Sequence, residues 1–151
     1  MSEKTAFVYD DSLAGHVLSD GHPMKPVRLR YTHELLEAYG AFDSPSAMLV
    51  EPRLATDEEV LRFHTASYLE AVKGLSRGDS TVSPAAFGFG PGDNPVFEGM
   101  YEAAAMSAGA TMRAVDLIAS GEVRAAMNIS GGLHHAMPGH ASGFCVFNDP
   151  V

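Results

Sequence analysis

Apolar and polar residues along the chain predict short buried strands separated by longer helices. Residues 5–10 and 47–51 are short apolar runs of the kind that form strands in a sheet. Between them, residues 28–39 carry leucines at helical spacing, with Pro26 placed for a first turn and Gly40 placed to end the helix. This part of the chain therefore predicts a strand, a helix and a second strand.

The middle of the chain predicts two further helices. Residues 56–59 read Thr-Asp-Glu-Glu, a capping-box pattern, so we expect a helix from there to about Leu75 with a break near Thr65. A longer helix is predicted over residues 96–120, because an Asn-Pro pair stands at its start and Gly121 follows its end. Small residues fill the centre of this helix, which lets its backbone lie close to a neighbour.

The last third of the chain predicts two more strands. Residues 124–130 read as a buried strand that ends at the double glycine 131–132, and residues 143–149 are a further strand candidate. Strands that alternate with helices are typical of an α/β protein with a mainly parallel sheet. Because no helix follows the last strand candidate, we expect residues 1–151 to be the N-terminal part of a single domain, incomplete at its C-terminus.

Composition removes several classes of function. The chain has ten Lys and Arg residues and nineteen Asp and Glu residues, which gives a formal net charge of −9. Such a charge repels phosphate backbones and anionic lipids, so we expect neither nucleic acid nor a membrane as a partner. Cys145 is the single cysteine, which excludes an internal disulfide. This cysteine usage, together with a start that does not resemble a signal peptide, favours a cytoplasmic location.

Candidate chemistry follows the predicted strand that ends at residues 131–132. Ligands of parallel sheets bind beyond the carboxyl ends of strands, where the double glycine would present His134 and His135. Two adjacent imidazoles can divide proton transfer and charge stabilisation between them. Other interpretations are an ordinary turn with two partly exposed histidines, or a metal site that adds His140. Cys145 is a conceivable nucleophile, although a lone cysteine in an apolar run is more often a core residue.

The residues of these motifs and their order resemble the signature of the histone deacetylase superfamily. Residues 131–136, Gly-Gly-Leu-His-His-Ala, are followed by Ala-Ser-Gly-Phe-Cys at 141–145 and by an Asn-Asp pair at 148–149. Residues 21–26 are similar to the entry of the superfamily's first helix, and residues 92–97 to its rim loop. The rim loop and the last residues are most similar to the bacterial acetoin-utilisation branch. The resemblance implies an arginase/deacetylase-like fold, a parallel sheet flanked by helices.

The resemblance also implies roles for individual residues. His135 would be the general base and acid that activates a zinc-bound water, and His134 would stabilise the oxyanion. Gly143 and Phe144 would line a narrow tunnel for the stem of acetyl-lysine, with the Gly143 carbonyl accepting the amide N–H.

Two further residues receive roles from the same resemblance. Asp93 would hold the substrate backbone at the rim, and Arg28 would line the inner cavity through which acetate leaves. Without the resemblance, Asp93 would be interpreted as a turn residue and Arg28 as a solvated helix residue. Zinc is the implied cofactor, but its ligands are expected beyond Val151, so no metal ligand is predicted within this chain.

The expected function is zinc-dependent hydrolysis of acetylated lysine in a protein or of a similar small acetylated amine. The acetoin-utilisation branch suggests acetyl-CoA synthetase as the substrate. One alternative is an acetylpolyamine amidohydrolase of the same superfamily. Another is a binding or regulatory remnant of the fold without catalysis. Because the zinc ligands are expected elsewhere, the 151 residues alone are expected to be inactive.

Overall fold

A computed structural model of the protein describes residues 3–151. Three parallel strands, β1 (Thr5–Val8), β2 (Ala47–Val50) and β3 (Ala125–Met127), form one sheet in the order β2-β1-β3. The central strand pairs on both sides, so that Phe7 lies opposite both Leu49 and Met127. The predicted α/β class, a parallel sheet flanked by helices, is confirmed.

Four α-helices and two short 3-10 turns connect and cover the strands of the described residues. The helices are α1 (Val27–Ala38), α2 (Asp57–Val60), α3 (Ala66–Ser76) and α4 (Met100–Ala119), and the 3-10 turns span Asp11–Leu13 and Pro84–Phe87. Among residues 3–151, none of the helices combines the length and apolar character that crossing a bilayer requires.

Side-chain caps set the start of α2 and of α3, as the sequence predicts. The Thr56 hydroxyl accepts a hydrogen bond from the Glu59 N–H at 3.2 Å, and the Glu59 carboxylate accepts one from the Thr56 N–H at 2.8 Å. The Thr65 hydroxyl then accepts from the Tyr68 N–H at 3.3 Å and starts a new helix. The capping box and the break near Thr65 are both confirmed.

The start of the long helix differs from the prediction. The sequence predicts helix from Val96, whereas α4 begins at Met100. Gly99, the residue before the helix, has φ of +77°, a left-handed conformation that interrupts a right-handed helix. Residues 96–99 therefore form an irregular entry, and Asn94-Pro95 does not open the helix.

The predicted buried strand over residues 124–130 is shorter and more exposed than expected. Strand β3 ends at Met127, whose side chain is 58% exposed, because β3 lies at an edge of the three-stranded sheet. The Asn128 side chain accepts a hydrogen bond from the Ser130 N–H at 3.0 Å, which turns the chain out of the sheet. The strand therefore stops three residues before the double glycine.

The predicted strand over residues 143–149 is wrong. Gly143 and Phe144 have φ of +51° and +71°, which are incompatible with extended backbone. The Cys145 N–H donates to the Ser142 carbonyl at 2.8 Å and closes a tight turn. This segment is a series of turns, not a further strand.

The core lies where α4 packs against α3 and against the sheet. Tyr68, Val72, Met100 and Ala105 are almost completely buried between the two helices. The small residues of α4 allow a close crossing by the segment after β2, as predicted. A Cβ placed on Gly109 would lie 1.9 Å from the Arg53 carbonyl oxygen, so only glycine fits there. Gly109 thereby allows direct backbone contact between α4 and the segment after β2.

Candidate active site

The predicted histidine pair lies on a turn beyond the carboxyl end of β3. We call residues 131–135 the dihistidine turn. The His134 and His135 rings have centroids 4.3 Å apart and an interplanar angle of 37°, and both residues are exposed. His134 Nδ1 lies 3.0 Å from the Gly132 carbonyl oxygen, so Nδ1 carries a proton and donates it to that oxygen. In the neutral ring this leaves His134 Nε2 as the unprotonated nitrogen.

The structure brings Gly143 directly against His135. A Cβ on Gly143 would lie 2.7 Å from His135 Cγ, well inside contact distance. The positive φ of Gly143 turns its backbone toward the ring, a conformation that side chains rarely adopt. Two residues predicted for the site are therefore in contact: the His135 ring packs against the backbone of Gly143, which has no side chain.

A buried histidine connects Phe144 with the loop that carries Asp93. The His22 ring meets the Phe144 ring edge-on, with centroids 4.8 Å apart. His22 Nδ1 accepts from the Met24 N–H at 3.0 Å, so the proton lies on Nε2, which donates to the Asp93 carbonyl at 3.2 Å. The Asp93 residue itself is exposed. His22 was not predicted as a site residue, although it stands in the Gly-His-Pro-Met motif at 21–24.

Arg28 lines a cavity to which the histidine pair does not contribute. The residue is exposed overall, and it contributes to the wall of a partly open cavity of about 50 Å³ lined by residues of α1, α4 and the dihistidine turn. Phe144 and Leu133 also line this cavity, and neither His134 nor His135 does. Of the residues predicted for the site, Phe144 and Arg28 therefore share this cavity, and the histidine pair is not part of its wall.

A buried carboxylate holds the start of the dihistidine turn. Asp149 is 8% exposed and accepts three hydrogen bonds, from the Gly132 N–H at 3.0 Å, the Leu133 N–H at 2.7 Å and the Thr111 hydroxyl at 2.6 Å. A Cβ on Gly131 would lie 2.5 Å from Asp149 Oδ2, so the first glycine allows the carboxylate to approach. The turn is therefore bound to α4 through a side chain that comes from the end of the chain.

The neighbouring amide side chain holds the other end of the same segment. Asn148 Nδ2 donates to the His134 carbonyl at 3.2 Å and to the Ala136 carbonyl at 2.9 Å. The Asn148 N–H in turn donates to His64 Nε2 at 3.0 Å. Burial lowers the pKa of the His64 imidazole, which keeps this ring neutral and able to accept. The backbone is thus held at one carbonyl before and one carbonyl after His135.

Sequence reasoning missed the supporting residues Asn148, Asp149, His64 and Thr111 as parts of the site. Asn148 and Asp149 were visible as an Asn-Asp pair in the motif, but nothing local in the sequence indicated which backbone groups they bind. His64 and Thr111 reach the site across 84 and 38 positions of the chain, respectively. Contacts of that separation leave no periodic signal.

The two alternative chemistries find little support in the geometry. Cys145 is buried, its thiol donates to the Gly143 carbonyl at 3.3 Å, and burial raises its pKa, so the thiol stays protonated. No group of three or more His, Cys, Asp or Glu side chains in residues 3–151 is arranged to hold a metal ion. The metal site formed with His140 is therefore not supported.

The parallel sheet and the paired histidines beyond its carboxyl end define an α/β protein with a candidate proton-transfer site. Residues 22–151 match the family model of the histone deacetylase domain. The chain belongs to this family, which confirms the resemblance indicated by the motifs.

Named relatives agree with the family and with its acetoin-utilisation branch. The chain is 40% identical to "Acetoin utilization protein AcuC" of Bacillus subtilis over 96% of its own length and 37% of that protein's. It is 35% identical to "Histone deacetylase RPD3" of Saccharomyces cerevisiae, over 98% of the chain and 34% of that protein. The chain therefore spans less than two fifths of these relatives.

Solved structures give the same result. The chain resembles an HDAC homolog from Aquifex aeolicus with a TM-score of 0.86 and 28% identity, covering 98% of this chain and 39% of that one. It also resembles an HDAC homolog complexed with SAHA, with a TM-score of 0.83 and 30% identity and the same coverage.

Proposed function

We propose that the protein containing this chain is a deacetylase that hydrolyses the amide bond of acetylated lysine or a similar acetylated amine. The observation that carries the proposal is the contact between His135 and the backbone of Gly143, beside the Phe144 ring. In this proposal the contact sets a proton-transfer group next to the tunnel that Gly143 and Phe144 line. Membership of the histone deacetylase domain family supports the same reaction.

Each histidine then has a distinct part in the reaction. A neutral His135 accepts a proton from the attacking water and returns it to the departing amine. His134 has its Nδ1 proton committed to the Gly132 carbonyl, so it stabilises the developing oxyanion from Nε2 when that nitrogen is protonated. The fixed turn keeps both rings in place without reorganisation during the reaction.

The remaining predicted residues bind the substrate and receive the product in this proposal. Phe144 contacts the apolar stem of the acylated side chain, and the Gly143 carbonyl accepts its amide N–H. Asp93, exposed at the end of its loop, holds the substrate backbone. Arg28 lines the cavity beyond Phe144, where a cationic guanidinium favours the acetate anion.

We include zinc in the proposal, with ligands outside this chain. Residues 3–151 contain no arrangement of three His, Cys, Asp or Glu side chains that fits the ion. Within the described residues the available chemistry is proton transfer and substrate binding. We also propose that residues 1–151 form the N-terminal part of a single deacetylase domain, because relatives are more than twice as long.

We propose an acetylated protein of acetoin utilisation as the substrate, with acetyl-CoA synthetase as the first candidate, and a cytoplasmic location for the reaction. Similarity to AcuC supports this choice. An acetylpolyamine amidohydrolase and a non-catalytic remnant are the alternatives that the assay must separate. In this proposal nucleic acid and membranes are not partners, since the net charge of −9 disfavours both.

The proposal is tested by His135→Ala in the full-length protein, meaning the polypeptide that contains this chain. Loss of the general base is expected to lower kcat on an acetyl-lysine peptide by about 10²–10⁴. His33→Ala is the control, because the His33 ring on α1 stacks on Tyr9 at 4.5 Å and belongs to no part of the site. Equal activity of the two variants would reject the assignment of His135.

The same assay compares the acetyl-lysine peptide with N-acetylputrescine. Turnover of the peptide by the wild-type protein supports the proposed substrate class. Turnover of the polyamine alone selects the amidohydrolase instead. A folded full-length protein that hydrolyses neither substrate identifies the non-catalytic alternative.

A further inference from the structure

The side chains of two consecutive residues bind the backbone on both sides of the histidine pair. Asp149 binds the N–H groups of Gly132 and Leu133, and Asn148 binds the carbonyl groups of His134 and Ala136. We propose that Asn148 and Asp149 are positioning residues that set the orientation of the His134 and His135 rings. This inference rests on the proposed function, because it assigns the two residues a part in the same reaction.

The Asp149 carboxylate fixes the direction in which the chain enters the histidine pair. Its two oxygens accept two main-chain N–H groups and the Thr111 hydroxyl, all at 3.0 Å or less. Hydrogen bonds to an ionised, poorly solvated acceptor are strong, and Thr111 on α4 prevents the carboxylate from moving away. A neutral amide in place of the carboxylate would present its own N–H to one of these donors. At least one of the two main-chain bonds would then be lost.

The Asn148 amide binds the backbone before and after His135. Its NH₂ group donates to one carbonyl before and one after this residue. The His134 carbonyl belongs to the peptide group that ends at the His135 nitrogen, and the Ala136 carbonyl lies one peptide group beyond His135, so the two bonds restrain the backbone that sets the position of the His135 Cα. The main chain of Asn148 is itself held by buried His64. The amide therefore acts from a fixed position.

Neither residue acts on the reacting atoms directly. Their hydrogen bonds go to backbone groups, so any effect on the reaction must pass through the placement of the imidazoles. Such placement matters, since a displacement of about 1 Å can lower a rate by about 10²-fold. A merely structural role would instead lower stability and leave the rate of the folded protein unchanged. This difference makes the inference testable.

The first experiment is a double-mutant cycle on the full-length protein with the acetyl-lysine peptide. Asp149→Asn is expected to lower kcat by about tenfold to a hundredfold and to change KM by less than about twofold. In a His135→Ala background the same substitution is expected to cost less than about threefold, because the group that it places is already absent. An equal loss of kcat in both backgrounds would overturn the inference.

The control variant removes a hydrogen bond of purely structural kind. Tyr101→Phe deletes the bond from the Tyr101 hydroxyl to the Asp57 carboxylate, 2.8 Å long and outside the site. We expect it to lower the melting temperature and leave kcat close to that of the wild type. If Asp149→Asn lowers kcat no more than Tyr101→Phe does, Asp149 is structural only. Asn148→Asp, which turns the donor amide into an acceptor of the same size, is measured in parallel and covers the case in which the Asp149 variant does not fold.

A spectroscopic measurement separates this inference from the proposed function. In full-length protein labelled with ¹⁵N-histidine, Asp149→Asn is expected to shift or broaden the ring signals of His134 and His135 and leave those of His33 in place. Absence of deacetylase activity in the wild type would reject the proposed function without deciding this point. Unchanged ring signals of both site histidines would overturn the positioning role whether or not the protein is active.

Discussion

At the scale of single residues, His135 and Gly143 pack so closely that one additional atom would not fit between them. A Cβ on Gly143, whose φ is +51°, would lie only 2.7 Å from His135 Cγ. The sequence motif identified both residues, but the reason that position 143 is glycine appears only in their contact. The roles of Asn148 and Asp149 depend on backbone groups 12 to 17 positions away, which no local pattern specifies.

Substitution of Gly143 tests this fit. Gly143→Ala adds a methyl group 2.7 Å from His135 Cγ in a conformation that costs an alanine about 1–2 kcal/mol, so we expect the ring to move. The expected result in the full-length protein is a fall in kcat of about tenfold or more. Gly139→Ala is the matched control, because a Cβ there meets nothing within 4 Å. Similar activities of the two variants would argue against a required contact.

At the scale of elements, the sequence predicted helix starts correctly where a local capping pattern marks them, and it failed where turns replace a strand. The capping box at residues 56–59 and the cap at Thr65 are local patterns, and both are found where predicted. The strand predicted over residues 143–149 failed, because an apolar run alone does not reveal two successive residues with positive φ. Apolar side chains such as Phe147 are buried there by turns that pack on helices, not by pairing in the sheet.

The cap of α2 gives a prediction about pH. Arg53 binds the Glu59 carboxylate through two hydrogen bonds of 2.8 Å, and together with the bond from the Thr56 N–H this lowers the pKa of Glu59 to about 2. The group is thus more acidic in the folded protein than its ordinary value of about 4.3. The stability that it contributes is fully present above about pH 5 and is lost as the pH falls toward 2.

Glu59→Gln is therefore expected to lower the free energy of unfolding by about 1 kcal/mol at pH 7. The difference from the wild type should shrink when the pH is lowered from 5 to 3. Urea denaturation of the full-length protein at several pH values measures it. Glu58→Gln, at an exposed position of the same helix, is the control and should have little effect. A difference that does not depend on pH would contradict the assigned cause.

At the scale of the whole molecule, the alternation of apolar runs predicted the α/β class, and the motifs predicted the family. The order of the strands in the sheet could not be predicted from the local sequence pattern, because β1 pairs with strands that lie 42 and 120 positions further along the chain. Within the described residues β2 and β3 are the outer strands of the sheet, and Met127 at the end of β3 is 58% exposed.

This exposure leads to a prediction for the isolated 151 residues. Val115 and Ile118 on α4 are 57% and 46% exposed, and β3 offers unpaired N–H and C=O groups. We expect the isolated chain to associate or to bind hydrophobic dyes, with no turnover and no stoichiometric zinc after dialysis. Size-exclusion chromatography, a denaturant melt and zinc analysis measure these properties, with the full-length protein as the control. A monodisperse monomer with a steep two-state transition, or one bound zinc with turnover, would contradict the prediction.

The central place of β1 in the sheet also has a consequence in time. Its second partner, β3, is made 120 residues later, as the pairing of Thr5 with Ala125 requires. At a synthesis rate of about 5–20 residues per second, β1 waits about 6–24 seconds on the ribosome with one edge unpaired. Throughout that interval the strand that becomes the most buried in the sheet is the one most available to a chaperone or to a neighbouring nascent chain.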